Sequence, residues 1–461
     1  MSIDPQIAEA LATAYANVAK QQLEGGDLQG AAASCESALE LAPASPALLV
    51  LLGDVLLTCG QREAATTVFE RSLQAVPDDP AILTRLAYLY EPRDIDRAVA
   101  LHRRAVELAP NWYAVHTNLA GALFLAGDNA AGMAASRATL ALAPEYEDAH
   151  LGLGESLLRA GRLPEGWLEW RWRWTVPALT RPTPFRNIIP YWDGATFEAK
   201  RLLVGRDQGL GDAIWSMRYL PLVKARGGTV IYQSPPELLE VARSAQGVDE
   251  LLSDDVPIDS GAYDLYAPAL NFPLIFNTSM ETIPAPLRYL AAPRGHVQRW
   301  RERLGLDPHR LNVGIVWSGN PTQSLNAVRS CRLADFHSLV NIEGVKLYSL
   351  QRDGSAALRD LSLPIVDVGA GIVTLADTAA ILDLLDLLIT IDSAPAHLAG
   401  ALGRPVWVLL SRRSHWMYHL DRDDSPWYPT MRLFRQSRAY AWEPVFERLA
   451  LEIAAVAARR S

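Results

Sequence analysis

Three short stretches of this sequence place acids, glycines and a histidine where an apolar run gives way to a helix, positions suited to holding phosphates. The first reads Thr390-Ile391-Asp392-Ser393-Ala394-Pro395-Ala396-His397. A buried strand is expected to end at Asp392, with a small-residue helix directly after it. Ser393 and Ala394 then offer unpaired backbone N–H groups and a hydroxyl at the positive end of a helix dipole, where a diphosphate fits. His397, one turn further on, could donate to the same phosphates. The bland alternative is that Asp392 or Ser393 only caps the helix.

The second stretch is Gln208-Gly209-Leu210-Gly211-Asp212. Gly209 and Gly211 allow a sharp turn or a close approach of backbone to ligand. Asp212 opens the following helix, and two roles are open to it. It is either a helix N-terminal charge or a general base taking a proton from an attacking hydroxyl or amide. The third stretch, Trp317-Ser318-Gly319-Asn320-Pro321, runs on to Arg329-Ser330. Arg329 could neutralise the charge of a departing diphosphate, or it could be an ordinary surface arginine.

The elements that must position these stretches alternate. Residues 201–204 read as a strand, followed by the glycine-rich turn, a helix over 213–226 and a second strand at 229–232. This is a βαβ unit, and it implies a parallel sheet. A second set of strands is expected at 312–317, 345–350, 387–391 and 406–410, with residues 295–308 linking the halves. Two Rossmann-like domains with ligands at their strand C-termini emerge from this pattern. Residues 176–197, with Pro177, Pro182, Pro184 and Pro190, read as a linker.

The first third is periodic. Pro43, Pro77, Pro110 and Pro144 stand 33 or 34 residues apart, Ala19, Gly53, Ala87, Ala120 and Gly154 recur in step, and turns fall at Gly26, Gly60, Gly127 and Gly161. Each unit reads as helix, tight turn, helix and proline stop, the tetratricopeptide period. Stacking curves such an array, whose concave face suits a protein or peptide, although a spacer or dimerisation module is the alternative. The fifth, partial unit ends in a cluster containing Trp167, Trp170, Trp172 and Trp174, expected to pack the last repeat against the next domain rather than to stack sugars. The domain boundaries expected are 1–176 for the array, 177–308 for the first α/β domain and 309–461 for the second.

Composition narrows the function. Of 461 residues, 49% are apolar and 21% charged, and the net charge of -9 argues against a nucleic-acid role. Cys35, Cys59 and Cys331 show neither metal spacing nor a disulfide framework, so a reducing compartment is expected. The N-terminus does not read as a signal peptide, and the apolar stretch 379–391 is too short and too acidic to span a bilayer. A cytoplasmic protein without a membrane span is the expectation.

The ordered series of motifs resembles the bacterial tetratricopeptide-repeat glycosyltransferases, related to heptosyltransferase-type and O-GlcNAc-transferase-like GT-B enzymes. It comprises Trp192-Asp-Gly194, Asp207-Gln-Gly-Leu-Gly-Asp212, Arg218-Tyr-Leu-Pro221, Trp317-Ser-Gly-Asn-Pro321, Leu350-Gln351, Asp392-Ser-Ala-Pro-Ala-His397 and Asp424-Ser-Pro-Trp-Tyr-Pro429. The resemblance implies a helical tetratricopeptide solenoid followed by a GT-B pair of Rossmann-like domains. It implies a nucleotide-sugar donor on the C-terminal half, an acceptor over the N-terminal half and no metal or other cofactor. Asp212 takes the position of the base. Gln208, Gly209, Gly211, Asn320, Arg329, Ser330, Gln351, Asp392, Ser393, Ala394 and His397 match the donor-binding loops. The implied acceptor is a protein recruited by the repeats, flagellin among them; homo-oligomerisation is left open. The Asp-x-Asp spelling in 421–424 reads as solvated charge rather than as a metal site. One departure stands out: relatives often carry His-Lys-Asn-Asp where this chain has Gln323-Ser-Leu-Asn326. That change is compatible with a different donor, such as a CMP-linked acidic sugar, or with a degenerate domain serving a non-catalytic repeat adaptor. A lipid-linked or oligosaccharide acceptor is a further alternative.

Overall fold

The computed structural model describes residues 4–176, 188–321, 326–412, 414–438 and 441–460. The chain divides into two compact units, Met1–Leu153 and Gly154–Ser461.

The first unit is helical. Its helices pack as Pro5–Glu24 with Leu28–Leu41, Pro46–Thr58 with Arg62–Ala75, Pro80–Tyr90 with Ile95–Leu108, and Tyr113–Ala126 with Asn129–Leu142. Pro43, Pro77, Pro110 and Pro144 each lie two residues beyond the second helix of a pair, where a helix cannot continue. Gly26, Gly60 and Gly127 adopt positive φ in the tight turns within pairs, a conformation that side chains resist. The third pair turns instead through 91–94, and the Asp94 side chain caps the next helix at Arg97 N, 3.1 Å away. The recurring small residues sit where helices meet. Ala19, Ala87 and Ala120 are buried, and a β-carbon on Gly53 would lie 2.5 Å from the Phe69 ring. The division at Leu153 falls inside the helix Glu147–Arg159.

The second unit opens with the rest of that helix, the helix Leu163–Trp170 and the 3-10 turn Arg171–Thr175. Gly154 lets the two helices touch, since a β-carbon there would stand 2.8 Å from the Trp170 backbone nitrogen. Residues 177–187 of the proline-rich stretch, with Pro177, Pro182 and Pro184, lie outside the described residues. Pro190 runs beside the first sheet, its carbonyl accepting from Tyr266 N at 2.9 Å.

That sheet holds β1 (Arg201–Gly205), β2 (Thr229–Ser234), β3 (Glu250–Ser253) and β4 (Leu265–Pro268), all parallel in the order β3-β2-β1-β4. The second sheet holds β5 (Leu311–Val316), β6 (Val345–Ser349), β7 (Ile365–Asp367), β8 (Leu387–Ile391), β9 (Val406–Leu410) and β10 (Met431–Arg435), in the parallel order β10-β9-β8-β5-β6-β7. Strand order reverses at β1/β4 in one sheet and at β5/β8 in the other, the crevice where Rossmann-like sheets receive ligands. β5, β8 and β9 are buried along their whole length, as a sheet covered on both faces requires. The helix expected over 213–226 is broken into Leu210–Ser216, the 3-10 turn Met217–Tyr219 and Leu220–Lys224, because Pro221 cannot donate within a continuous helix. The link expected at 295–308 carries the helix Arg294–Leu304.

Candidate functional site

Two helix N-termini meet in the second unit. After β1, the chain turns through Gly209 into the helix Leu210–Ser216; after β8, it turns through Ser393 into the helix Ala394–Ala401. The two helices pack together, and Gly211 is what permits it. A β-carbon there would lie 2.8 Å from His397 Cδ2 and 3.0 Å from its Nε2.

Asp212 sits in the first turn of its helix and accepts the Gly209 N–H at 3.0 Å, so it serves as an N-terminal helix charge. Burial pushes its carboxyl above the ordinary range. The neighbouring His415 and the Gly209 bond pull it back, and the Asp392 charge pushes it further up. A buried carboxyl whose acidity is shifted by burial and by a neighbouring charge, in a crevice, is a candidate functional group.

Across from it, Asp392 accepts the Tyr418 hydroxyl at 2.8 Å and stands 4.0 Å from His397 Nε2. His397 is buried, bonds Tyr428 Oη through Nδ1 at 3.0 Å, and is lowered to about 4 chiefly by desolvation. Its imidazole is therefore neutral at pH 7 and can hydrogen-bond a phosphate without contributing charge. Ser393, in extended geometry before the helix, makes no side-chain cap; its hydroxyl pairs with Thr390 Oγ1 at 2.9 Å. Neither Asp392 nor Ser393 caps this helix through its side chain.

The loop after β5 is held by Gln351, whose Oε1 accepts Trp317 N at 3.3 Å and Ser318 N at 3.1 Å. Asn326 Oδ1 accepts Gly319 N at 3.0 Å and the Ser330 hydroxyl at 3.1 Å. The Arg329 guanidinium lies over Gly319, where a β-carbon would come within 2.5 Å of Nη2, and its charge acts on Tyr418. Through Tyr418 this loop joins Asp392. Asn320 is exposed at the loop tip. Residues Gln323 to Leu325, most of the altered motif, lie outside the described residues. Gln208 meets Arg206 through its backbone carbonyl at 3.1 Å. Two of the three acids in 421–424 form ion pairs with arginines: Asp424 with Arg422 at 2.7 Å and Asp423 with Arg448 at 2.8 Å.

Several residues at this place were not among the expected site residues, because their partners lie far away along the chain. Arg218 is 2% exposed and ties the two sheets' layers together, donating to Trp427 O at 2.5 Å, Trp215 O at 2.9 Å and Tyr289 Oη at 3.2 Å. It also lies 4.4 Å from the Tyr428 ring centroid. Its motif was visible, yet its role depends on partners 66 to 209 residues away. Tyr418 and His415 come after β9 in a loop without a recognisable pattern, and Tyr428 lies in the Asp424-to-Pro429 motif, whose spacing gave no sign of its bond to His397. Asp207, at the head of the glycine-rich run, is buried against Arg173 at 2.9 Å.

The chain is thus a helical repeat array followed by two parallel Rossmann-like sheets, with the glycine-rich turn after β1 leading into a helix packed on the helix after β8. Comparison with known proteins agrees. The tetratricopeptide repeat model matches residues 22–87, and the glycosyltransferase family 9 (heptosyltransferase) model matches residues 355–417, which contain Asp392 to His397 and His415. Among curated proteins, the chain is similar to Protein FlbA of Caulobacter vibrioides, 25% identical over 96% of this chain and 84% of that protein. Together these findings support a bacterial glycosyltransferase that carries tetratricopeptide repeats. Among solved structures, MamA matches with 16% identity over 37% of this chain and 98% of that chain, at a TM-score of 0.33. YrrB, described as a tetratricopeptide protein with an unusual peptide-binding site, matches with 20% identity over 34% and 82%, at 0.31. Among the described residues, no helix is long and apolar enough to cross a membrane.

Proposed function

We propose that this protein transfers a sugar from a nucleotide-sugar donor to a protein acceptor recruited by its repeats. In this reading the two sheets work as a GT-B pair. The donor lies between the loop after β5 and the helix N-terminus after β8, and the acceptor approaches over β1. Asp212 takes the proton from the acceptor hydroxyl or amide as the glycosyl bond to phosphate breaks. Arg329 supplies positive charge to the leaving phosphate, while Ser393, Ala394 and neutral His397 hydrogen-bond it. With charge supplied in this way, turnover is expected to survive a chelator. The observation that carries the reading is the packing of Gly211 on His397, which brings the candidate base and the candidate phosphate site face to face. Flagellin is the acceptor that the family likeness suggests.

The test begins with thermal shifts against UDP, GDP, ADP, CMP and TDP, with Ser393→Trp as the control that should abolish the response. Sugar nucleotides of the responding base then serve as donors. Asp212→Asn is expected to lower turnover on the order of 10²- to 10⁴-fold while keeping the nucleotide-induced shift, as loss of a general base does. Wild-type turnover in that variant would remove Asp212 from the mechanism.

A further inference from the structure

The 3-10 turn Arg171–Thr175, directly after the last helix of the repeat-like segment, inserts one arginine beneath the glycine-rich loop. Arg173 is 2% exposed, and its Nη2 donates to Asp207 Oδ2 at 2.9 Å and to Asn271 Oδ1 at 2.6 Å. Trp174 Nε1 donates to the same Asn271 oxygen at 3.1 Å, and the guanidinium rests 4.2 Å from the Trp170 ring. Asp207 lies just beyond β1 and Asn271 just beyond β4, the two strands that flank the switch point of the first sheet. One side chain thus ties both rims of that crevice, and it does so on the same short loop that leads into Asp212.

A buried arginine on a buried carboxylate is a weak stabiliser, because desolvating two ions cancels most of their attraction. Its placement points to another use. The charged and titratable groups acting on Asp212 are Asp392 and His415 from the opposite loops, with Asp207 and Arg173 beneath it. We propose that Arg173 and Asp207 form a positioning pair for the transfer, through which the segment after the repeats fixes the geometry and the acidity of Asp212. The proposal rests on Asp212 being the base.

Two substitutions in the full chain should move the acid limb of kcat/KM in opposite directions, with turnover read as nucleotide release from the donor that the thermal screen selects. Asp207→Asn leaves the Arg173 charge without its counter-ion, so its field falls on Asp212 and the limb should shift to lower pH by about half a unit or more. Asn271→Asp adds a second carboxylate beside Arg173, and the limb should shift to higher pH. A merely structural pair would lower turnover or melting temperature and leave the limb in place, and that result would overturn the proposal. If Asp207→Asn does not fold, the direction in Asn271→Asp decides alone. Asp212→Asn run alongside separates the two readings. An inactive Asp212→Asn with unmoved limbs ends only the positioning role, whereas an active one ends the base assignment and the positioning role with it.

Discussion

Burial acts on His397 and Asp212 in opposite chemical senses, and both have consequences for stability. The His397 imidazole is lowered to about 4, so the unfolded chain binds its proton first as the solution is acidified. Its contribution is fully present above the ordinary histidine range and is lost as pH falls from about 6.5 toward 4, on the order of 3 kcal/mol. His419, also lowered to about 4 by burial, adds in the same window. Urea midpoints measured between pH 7 and pH 4 should therefore fall, and His397→Gln should flatten that slope. Asp212 is raised, so its anion costs stability above its folded pKa, and none of that cost remains at strongly acidic pH. Asp212→Asn should consequently raise the urea midpoint at pH 8 while strongly lowering turnover. A residue retained at a cost to stability is what a functional site is expected to contain.

The helices of the first unit repeat their solutions, and the exceptions are informative. Asp27, Asp94 and Asp128 cap the second helices of the first, third and fourth pairs by accepting from backbone N–H groups at 2.9, 3.1 and 3.0 Å. Gln61 holds the matching place in the second pair and makes no side-chain cap. Gln61→Asp should supply it and stabilise the unit by about 1 kcal/mol, read as a higher melting temperature. Two glycines of neighbouring helices should respond oppositely to alanine. Gly121 has open space where a β-carbon would go, so alanine gains about 0.5–1 kcal/mol by restricting the unfolded chain. A β-carbon on Gly132 would collide with the Phe124 ring, and overpacking there costs about 1–3 kcal/mol. These features were legible because a 34-residue period repeats the same short-range choices of cap, turn and small residue. The 213–226 segment read as one helix because its apolar pattern is continuous; Pro221 divides it.

At the scale of the second unit, tryptophans hold separate layers together. Trp167 packs edge-to-face on Trp416 at 5.1 Å, on Trp170 at 6.1 Å and on Trp427 at 6.5 Å, and its Nε1 donates to Thr278 O at 3.0 Å. Trp215 joins the same cluster at 5.0 Å from Trp427. The indoles at 167 and 170 are thus packing residues, as the clustering of aromatics before an α/β domain suggested. Trp167→Ala should cost about 3–5 kcal/mol and lower the calorimetric transition of this unit, because the ring is 2% exposed and its neighbours cannot close the gap.

Period and local chemistry, readable along the chain, determined the helical array, its turns, most of the parallel strands and the three loops that gather around Asp212 and Asp392. Each depends on residues within one turn or one repeat of each other. Only the tertiary structure decided which side chains share the crevice. That His397 is buried and neutral, that Tyr418 bonds Asp392, that Arg218 reaches Trp427 and that Arg173 reaches Asp207 are matters of desolvation and distance. Those are set by how distant layers pack, and no local spacing encodes them.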